Sequence, residues 1–561
     1  MRIRHLSTWL RSHILPLTFG TVIAGSFVAA APARAATIDE LLELLKVKGA
    51  ITQTEYDKLK ARHQAETKGD EDKLRTAEAR AREAEAKARE AEAKARQEKL
   101  RAADMPVPPL AAKAPVQYVT VLTNCVGIRV GPVDICVKGD ISFFGVEQFP
   151  DKNANPPKIT GGLATAAQKN SNAISGGLLP SSIQVSINTR QMGIDIGAYF
   201  GVYIGGNDIG VGVGSNPLNA NGPGAPFGLG TAGVDFRQVY GTLGTPTFGT
   251  VKIGRDIGLF ASDAILNDLT LFGVGSPGAN FAPHNTTLGR IGVGYIYTDW
   301  IPQISYKSPS FNGFTVTVGA FTPLSEIPPF GDPESAVMTG HDSPGFQGQL
   351  KYVGTFMPDV KLTLSTSGIV QRHQADCIAA IAPFGASSCL PNSVPGQVAS
   401  FSDPELPPGT SVTAWAVDGF GRLDIYGFSF VAYGYTGKGV GTTGLFFDGV
   451  DDEGNTRRSY GGYLQGSYTF FNVFTLGGSW GASFLNTANA NDAAEEFANC
   501  TGTGPSPTCL VHKNESWIGF ARYKLTDWVK LQAEFVHTTA ENQIGQRIKD
   551  NAILAGTTFF W

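Results

Sequence analysis

The stretch at residues 529–535, VKLQAEF, sets Val529, Leu531, Ala533 and Phe535 on one side of an extended chain and Lys530, Gln532 and Glu534 on the other. A period of two is the mark of a β-strand with one apolar and one polar face. Runs of this kind begin near Cys136, Ser182, Asp195, Gly233, Phe248, Arg290, Phe314, Gln347, Val360, Ser411, Asp424, Tyr460, Val473, Ser516, Trp528 and Ala552, sixteen in all. Because a soluble sandwich alternates in the same way, the connections have to decide between the two architectures.

Those connections are asymmetric. On one side they are tight, built on TPT at Thr245, SPSFNG at Ser308, MPD at Met357, FFN at Phe470 and LTDW at Leu525. On the other they are long and rich in Gly, Pro, Asn or Asp, at residues 149–180, 207–231, 256–288, 372–410 and 486–515. Regular alternation of short and long connections, with aromatics near strand ends, is the pattern of an antiparallel barrel that crosses an outer membrane. The expected fold is therefore all-β, a transmembrane antiparallel β-barrel of about sixteen strands over residues 116–561. The low charged fraction of 17% and the 68 glycines agree with it. The closing segment AILAGTTFFW, residues 552–561, alternates too, and barrel closure would pair this last strand with the first.

The first hundred residues read differently. Residues 1–35 carry a basic start (Arg2, Arg4, Arg11), an apolar run and Ala33-Arg34-Ala35, which together predict a secretory signal peptide. Residues 36–104 predict helix: an apolar stripe at Ile38, Leu41, Leu42, Leu44 and Leu45, a capping box at Thr52 and Glu55, and then the heptad AREAEAK, twice over. Its alanine-rich a/d positions suit either an oligomeric coiled coil or a solvated single helix. Residues 105–115, MPVPPLAAKAP, form a proline-rich linker.

The net charge is −4, and removal of the leader takes away four of the 45 basic residues and none of the 49 acidic ones. A more acidic exported chain is a poor nucleic-acid binder. The six cysteines fall into neighbouring pairs, Cys125 with Cys136, Cys377 with Cys389 and Cys500 with Cys509, which suit short-loop disulfides in an oxidising compartment. No metal site is expected from cysteines so spaced, and no cofactor is implied. Gly477 to Gly481 match G-x-S-x-G inside a strand-like run with no helix to form a nucleophile elbow, and the histidines share no triad spacing, so catalysis is not expected. By strand parity Arg237, Lys252, Lys361, Arg522 and Lys530 face the lumen, with Arg190 and Arg290 as further candidates.

YGTLGTPTFGTVKIGR at residues 240–255 and ISYKSPSFNGFTVTVGAF at 304–321 resemble the paired-strand motifs of trimeric bacterial general porins. VQYVTVLTNC with DICVKG, within residues 116–139, is similar to the N-terminal strand of alphaproteobacterial porins, cysteine pair included, and the helical preface resembles that of phosphate-selective and dicarboxylate porins. The resemblance implies an outer-membrane homotrimer, seated in lipid with its N-terminal segment in the periplasm, that passes small hydrophilic solutes and ions. It also implies a constriction loop after Arg255, with Asp256, Asp263 and Asp268 facing the basic wall. Gly556, Phe559 and Trp561 resemble the terminal signal read by the barrel-insertion machinery. A substrate-specific anion channel and a structural tether to the cell wall are the alternatives.

Overall fold

The computed structural model describes residues 52–54, 56–58, 61, 119–122, 125–204, 234–276, 287–328, 332, 334–375, 406–407, 409–504 and 509–561. The chain divides into two compact units, Met1–Val107 and Pro108–Trp561. In the first, the Tyr56 amide donates to the Thr52 carbonyl at 3.0 Å, the first turn of a helix starting at the predicted cap. The leader, the heptads and the proline-rich linker lie outside the described residues.

In the second unit nineteen strands form one antiparallel sheet. They are β1 (Val119–Val121), β2 (Val126–Val130), β3 (Val133–Phe149), β4 (Ser171–Ser175), β5 (Ser181–Gln191), β6 (Ile194–Ile204), β7 (Val234–Thr245), β8 (Gly249–Ile257), β9 (Trp300–Lys307) and β10 (Phe314–Phe321). Then follow β11 (Gly345–Met357), β12 (Val360–Gln374), β13 (Ser411–Ile425), β14 (Phe428–Lys438), β15 (Arg458–Phe470), β16 (Phe474–Asn486), β17 (Val511–Lys524), β18 (Val529–Asn542) and β19 (Arg547–Phe560). β1 and β2 form a hairpin that prolongs one end of β3, and β4 pairs with the other end of β3 beyond the reach of β5. The remaining sixteen strands make the wall, closed where β19 pairs with β3 from Asn551↔Phe149 to Phe560↔Asp140.

Each predicted run corresponds to one wall strand, with four starts shifted by four residues or more; the run expected at Asp424 starts at Phe428, since Asp424 still belongs to β13. The run expected at Arg290 starts at Trp300, because Ile291, Val293, Tyr295 and Ile296 are buried within an inward loop rather than paired in the wall. The runs expected at Ser516 and Ala552 start at Val511 and Arg547, since their outer ends are polar and hide the alternation. The tight turns use residues that tolerate a left-handed backbone: Phe471 and Asn472, at φ 51° and 59°, connect β15 to β16 in the manner of a twisted two-residue hairpin turn.

Burial is reversed relative to a soluble domain. On β18, Gln532 and Glu534 are each 5% exposed while Leu531 and Phe535 are 42% and 50% exposed. The same holds around the ring, with Phe236, Ile304, Val318, Phe346, Leu464 and Trp517 pointing out and Gln303, Gln347, Gln371, Gln465 and Ser516 pointing in. An apolar outer band around a polar interior is stable only in lipid.

The seam depends on two close approaches. Gly139 and Trp561 exchange backbone hydrogen bonds of 3.1 Å in both directions, and the Trp561 ring lies where a Gly139 side chain would stand, 2.3 Å from an added Cβ. Gly556 sits opposite Phe144, whose ring crosses it and is 2% exposed. Phe559 points outward at 44% exposure, on the lipid-facing parity with Ile553.

Gly139→Val should therefore reduce the heat-modifiable folded fraction several-fold in refolding and membrane assembly, because it displaces the last residue of the closing strand. Gly419→Ala, where an added Cβ meets nothing within 4 Å, should assemble like the parent chain. Equal yields of the two variants would contradict the seam.

Candidate functional site: the lumen and its inward loop

The connection between β8 and β9, residues 258–299, is described apart from 277–286 and crosses the lumen. It holds a short helix, α1 (Ser262–Asn267), that lacks a side-chain cap of its own. The wall supplies the missing partners. Gln347 Oε1 accepts from the Leu259 and Phe260 amides at 2.7 and 2.9 Å, and Asp418 Oδ2 accepts from the Ala261 amide at 2.9 Å. Further along, Gln465 Oε1 accepts from the Leu269 amide at 2.9 Å, and Gln532 donates to the Phe272 carbonyl. Glu534 Oε2 accepts from the Val274 and Gly275 amides at 3.0 and 2.9 Å. A loop inside a barrel cannot extend a sheet, so buried backbone groups must find side chains instead. These side chains stand on β11, β13, β15 and β18; on the other side the Leu178 and Leu179 amides donate to the Gly273 and Leu271 carbonyls at 3.2 Å each, tying the loop to the segment before β5.

The three predicted constriction acids have separate tasks. Asp256 lies on β8, in the wall rather than in the loop, and pairs with Lys252 four residues earlier while accepting from Gln238 Nε2 at 2.9 Å. Asp263, 5% exposed, pairs with Lys351 and accepts from Ser365 Oγ at 2.7 Å. Asp268, 4% exposed, is turned into its own loop, accepting from Thr270 Oγ1 at 2.7 Å, Tyr295 Oη at 2.9 Å and the Arg290 amide at 3.2 Å. One placement is thus corrected: Asp256 belongs to the wall rather than the loop, while Asp263 meets a wall cation directly and Asp268 is held within its own loop.

The basic candidates also separate. Arg237 is buried against Asp235 at 2.9 Å with its guanidinium 5.0 Å from the Tyr203 ring centre. Lys252 lies over Tyr240 at 4.8 Å, Arg522 over Phe520 at 5.4 Å and Lys530 over Phe560 at 4.5 Å. Lys361 shares the inward parity of Ser365 and Ser367 and is exposed at the tight-turn end of β12. Arg190 bridges to Asp195 at 3.7 Å across an exposed turn. Arg290 is in the returning arm of the loop and not on the wall, fully buried, donating to Ser516 Oγ and the Val293 carbonyl at 3.1 Å each.

Opposite the anchored half, a cavity of about 230 Å³ separates the loop from the wall of β3 to β7. The wall side carries Lys138, Gln184, Tyr199 and Tyr203; the loop side presents Leu266 and Leu271. Tyr199 and Tyr240 stack at 5.2 Å, and Tyr203 meets Trp300 at 5.8 Å. Sequence reasoning looked for charges and missed this aromatic wall, although Tyr199 and Tyr203 share the parity of inward-facing positions. Lys351 was legible in the same way, from Gln347, Gln349 and Lys351 on one face.

At the long-loop end, described residues from three connections, at 332, 334–335, 448–449 and 492–496, surround Arg457, which is fully buried. Its Nη2 and Nε donate to Asp492 at 2.7 and 3.0 Å, its Nη2 to the Glu334 carbonyl at 2.7 Å and its Nη1 to Ser335 Oγ at 2.5 Å. Asp332 and Glu496 stand 3.6 and 3.7 Å away. Desolvation, then the charge of Asp332, pushes the Asp448 and Glu496 carboxyls up to about 8. A helix, α2 (Ala490–Thr501), brings Asp492 and Glu496 into this cluster, and the disulfide Cys500–Cys509 ties its end to the start of β17. The disulfide Cys125–Cys136 joins β3 to the residue before β2, while Cys377 and Cys389 lie outside the described residues. Ser479 of the G-x-S-x-G match sits in the middle of β16, paired across from Gln465.

The described residues thus form a closed sixteen-stranded barrel with an apolar outer band, tight turns at one end and one long loop folded inside. The family described as Gram-negative porin matches residues 157–377, which run from the first long loop through the inward loop to β12. No curated protein sequence matches the chain. Among solved structures it is similar to the outer membrane channel DcaP of Acinetobacter baumannii, at 12% identity and TM-score 0.49 over 79% of this chain and 99% of that one. It is also similar to the anion-selective porin from Comamonas acidovorans (12%, TM-score 0.46, 76% and 100%) and to Pseudomonas putida OprB (12%, TM-score 0.42, 76% and 94%).

Two outcomes follow from this geometry. Asp263→Asn and Lys351→Met should each lower resistance to urea unfolding, with a coupling energy of about 0.5–3 kcal/mol in the double-mutant cycle; additive effects would mean the pair does not anchor the loop. At the outer mouth, carboxyls whose folded pKa is raised favour the folded cap while protonated, and that contribution is lost as pH rises through about 8. Protease cleavage within residues 439–457 should accordingly accelerate between about pH 6 and about pH 9, measured against a pH-matched unstructured substrate. Cleavage that is flat or faster in acid would contradict it.

Proposed function

We propose that this chain forms a passive outer-membrane channel for small hydrophilic solutes and ions, and that the water path runs along the β3 to β7 side of the inward loop. The observation that carries the reading is how that loop is anchored: wall side chains of β11, β12, β13, β15 and β18 satisfy its backbone and Asp263, whereas its other flank is tied only to the backbone of residues 177–179 among the described residues and borders the cavity. In this reading Arg237, Lys252, Lys361, Arg522 and Lys530 tune the wall potential, which biases ion preference at close quarters. Residues 1–35 direct export, residues 36–104 stay in the periplasm as a helical segment, and residues 105–115 space them from the barrel. Three copies assemble in the membrane, as the general-porin resemblance implies.

Purified protein in a planar bilayer should give stepwise, ohmic conductance in KCl without saturation, and should run as a heat-sensitive oligomer on unboiled gels. Deleting residues 38–103 should leave conductance per channel unchanged. Assembled barrels that give no conductance steps would favour a structural envelope role. Strong anion selectivity with saturating block by phosphate or a dicarboxylate would favour a dedicated anion channel.

A further inference from the structure

We infer that the cavity of about 230 Å³ between the inward loop and the tyrosine wall is a binding constriction for small organic anions with an apolar body. The inference deepens the channel reading above and rests on it.

Three features of the cavity define this ligand class. The first is charge. Lys138 is exposed to the lumen and has no ion-pair partner among the described residues; its ammonium lies 5.6 Å from the centre of the Tyr199 ring. The other cation on the cavity, Arg237, is already matched by Asp235. No carboxylate of the described residues lines the space. An entering anion therefore meets one uncommitted positive charge, whereas an entering cation meets none of the opposite sign.

The second feature is the loop flank. Leu266, on the last turn of α1, is 49% exposed although it belongs to an interior loop, and Leu271 stands beside it on the cavity. A constriction meant only for ions gains nothing from a leucine facing water, since apolar surface in a narrow aqueous passage favours solutes that can cover it. Facing Leu266 across the cavity is the half-buried Tyr199 ring, backed by Tyr240 at 5.2 Å, while Tyr203 is buried behind it against Arg237 and Trp300.

The third feature is that the polar groups around the rings are already engaged. Tyr199 Oη donates to Gln184 Oε1, Gln184 Nε2 donates to Ser182 Oγ at 3.0 Å, and Tyr203 Oη donates to Gln238 Oε1 at 2.9 Å. The wall thus has few free hydrogen-bonding groups with which to hold a polyhydroxylated solute. What remains is a single cation, the half-buried Tyr199 ring and an exposed leucine. That set matches a monocarboxylate on an aromatic or alicyclic frame, with its carboxylate at Lys138 and its frame between Tyr199 and Leu266.

The test is solute block of single channels in a planar bilayer, using benzoate, acetate (the charge without the body) and benzamide (the body without the charge). Benzoate should reduce the KCl current at concentrations where acetate and benzamide leave it unchanged. Lys138→Gln should weaken the benzoate block roughly tenfold, the loss of one charge-assisted contact. Leu266→Ser should weaken it as well. Both positions are exposed, and assembly of each variant is checked by heat-modifiability before recording. Equal block by benzoate and acetate, or a benzoate block untouched by both substitutions, would overturn the inference while leaving the channel intact. Assembled barrels that show no KCl conductance would instead remove the channel reading, and this inference with it.

Discussion

Everything in this molecule depends on the pairing of β19 with β3. In hydrocarbon a strand edge has no water to satisfy its amides and carbonyls, and each unsatisfied group costs several kcal/mol, so a sheet can cross only if it has no edges. The register from Asn551↔Phe149 to Phe560↔Asp140 removes the last pair of edges, and Gly139 and Gly556 let Trp561 and Phe144 pack across the join. Closure also forces the inversion of side chains: one parity of every strand must suit lipid and the other must suit the lumen, which is why Leu531 and Gln532 exchange the environments they would have in a soluble core.

Closure creates a second difficulty inside. A polar tube of sixteen strands has room for a loop, and a loop placed there brings backbone groups that no strand can pair. The inward loop meets this by borrowing wall side chains, Gln347, Asp418, Gln465, Gln532 and Glu534, each aimed at an amide or carbonyl of residues 259–275. Because these side chains sit on neighbouring strands of one half of the barrel, the loop lies against that half. The opposite half, with Tyr199, Tyr203 and Lys138, is left to the cavity. The acids follow the same logic: Asp263 and Asp268 contribute more as anchors in a desolvated setting, where hydrogen bonds to charge are worth about 1.5–3 kcal/mol each, than as free charges in water.

The barrel was legible because period two, turn length and lipid-facing apolar residues are local properties. VKLQAEF alone gives the parity that β18 adopts, and FFN gives the left-handed turn at Phe471 and Asn472. The stretch from Arg290 to Tyr297 misled for the same reason. It alternates like a strand, yet its partners are Asp268, Ser516 and Thr443, distant in sequence. Asp263 and Asp268 lie in the inward loop and Asp256 on β8, but what each carboxylate meets depends on Lys351, Ser365 and Tyr295, and no local pattern names those partners. The burial of Arg457 by three external loops was likewise invisible, since no local signal distinguishes a buried arginine from a solvated one.

The central claim is that the loop seals one half of the lumen and leaves the other half for transport. Single-channel recording of cysteine variants exposed to a charged, membrane-impermeant methanethiosulfonate reagent tests it directly. Modification at Gln184→Cys, on the cavity wall, should cut the current of open channels, whereas Ser365→Cys, on the wall beneath α1 and against Asp263, should react slowly and leave the current unchanged. Rapid block at Ser365→Cys with no effect at Gln184→Cys would place the water path on the other side of the loop and contradict the account.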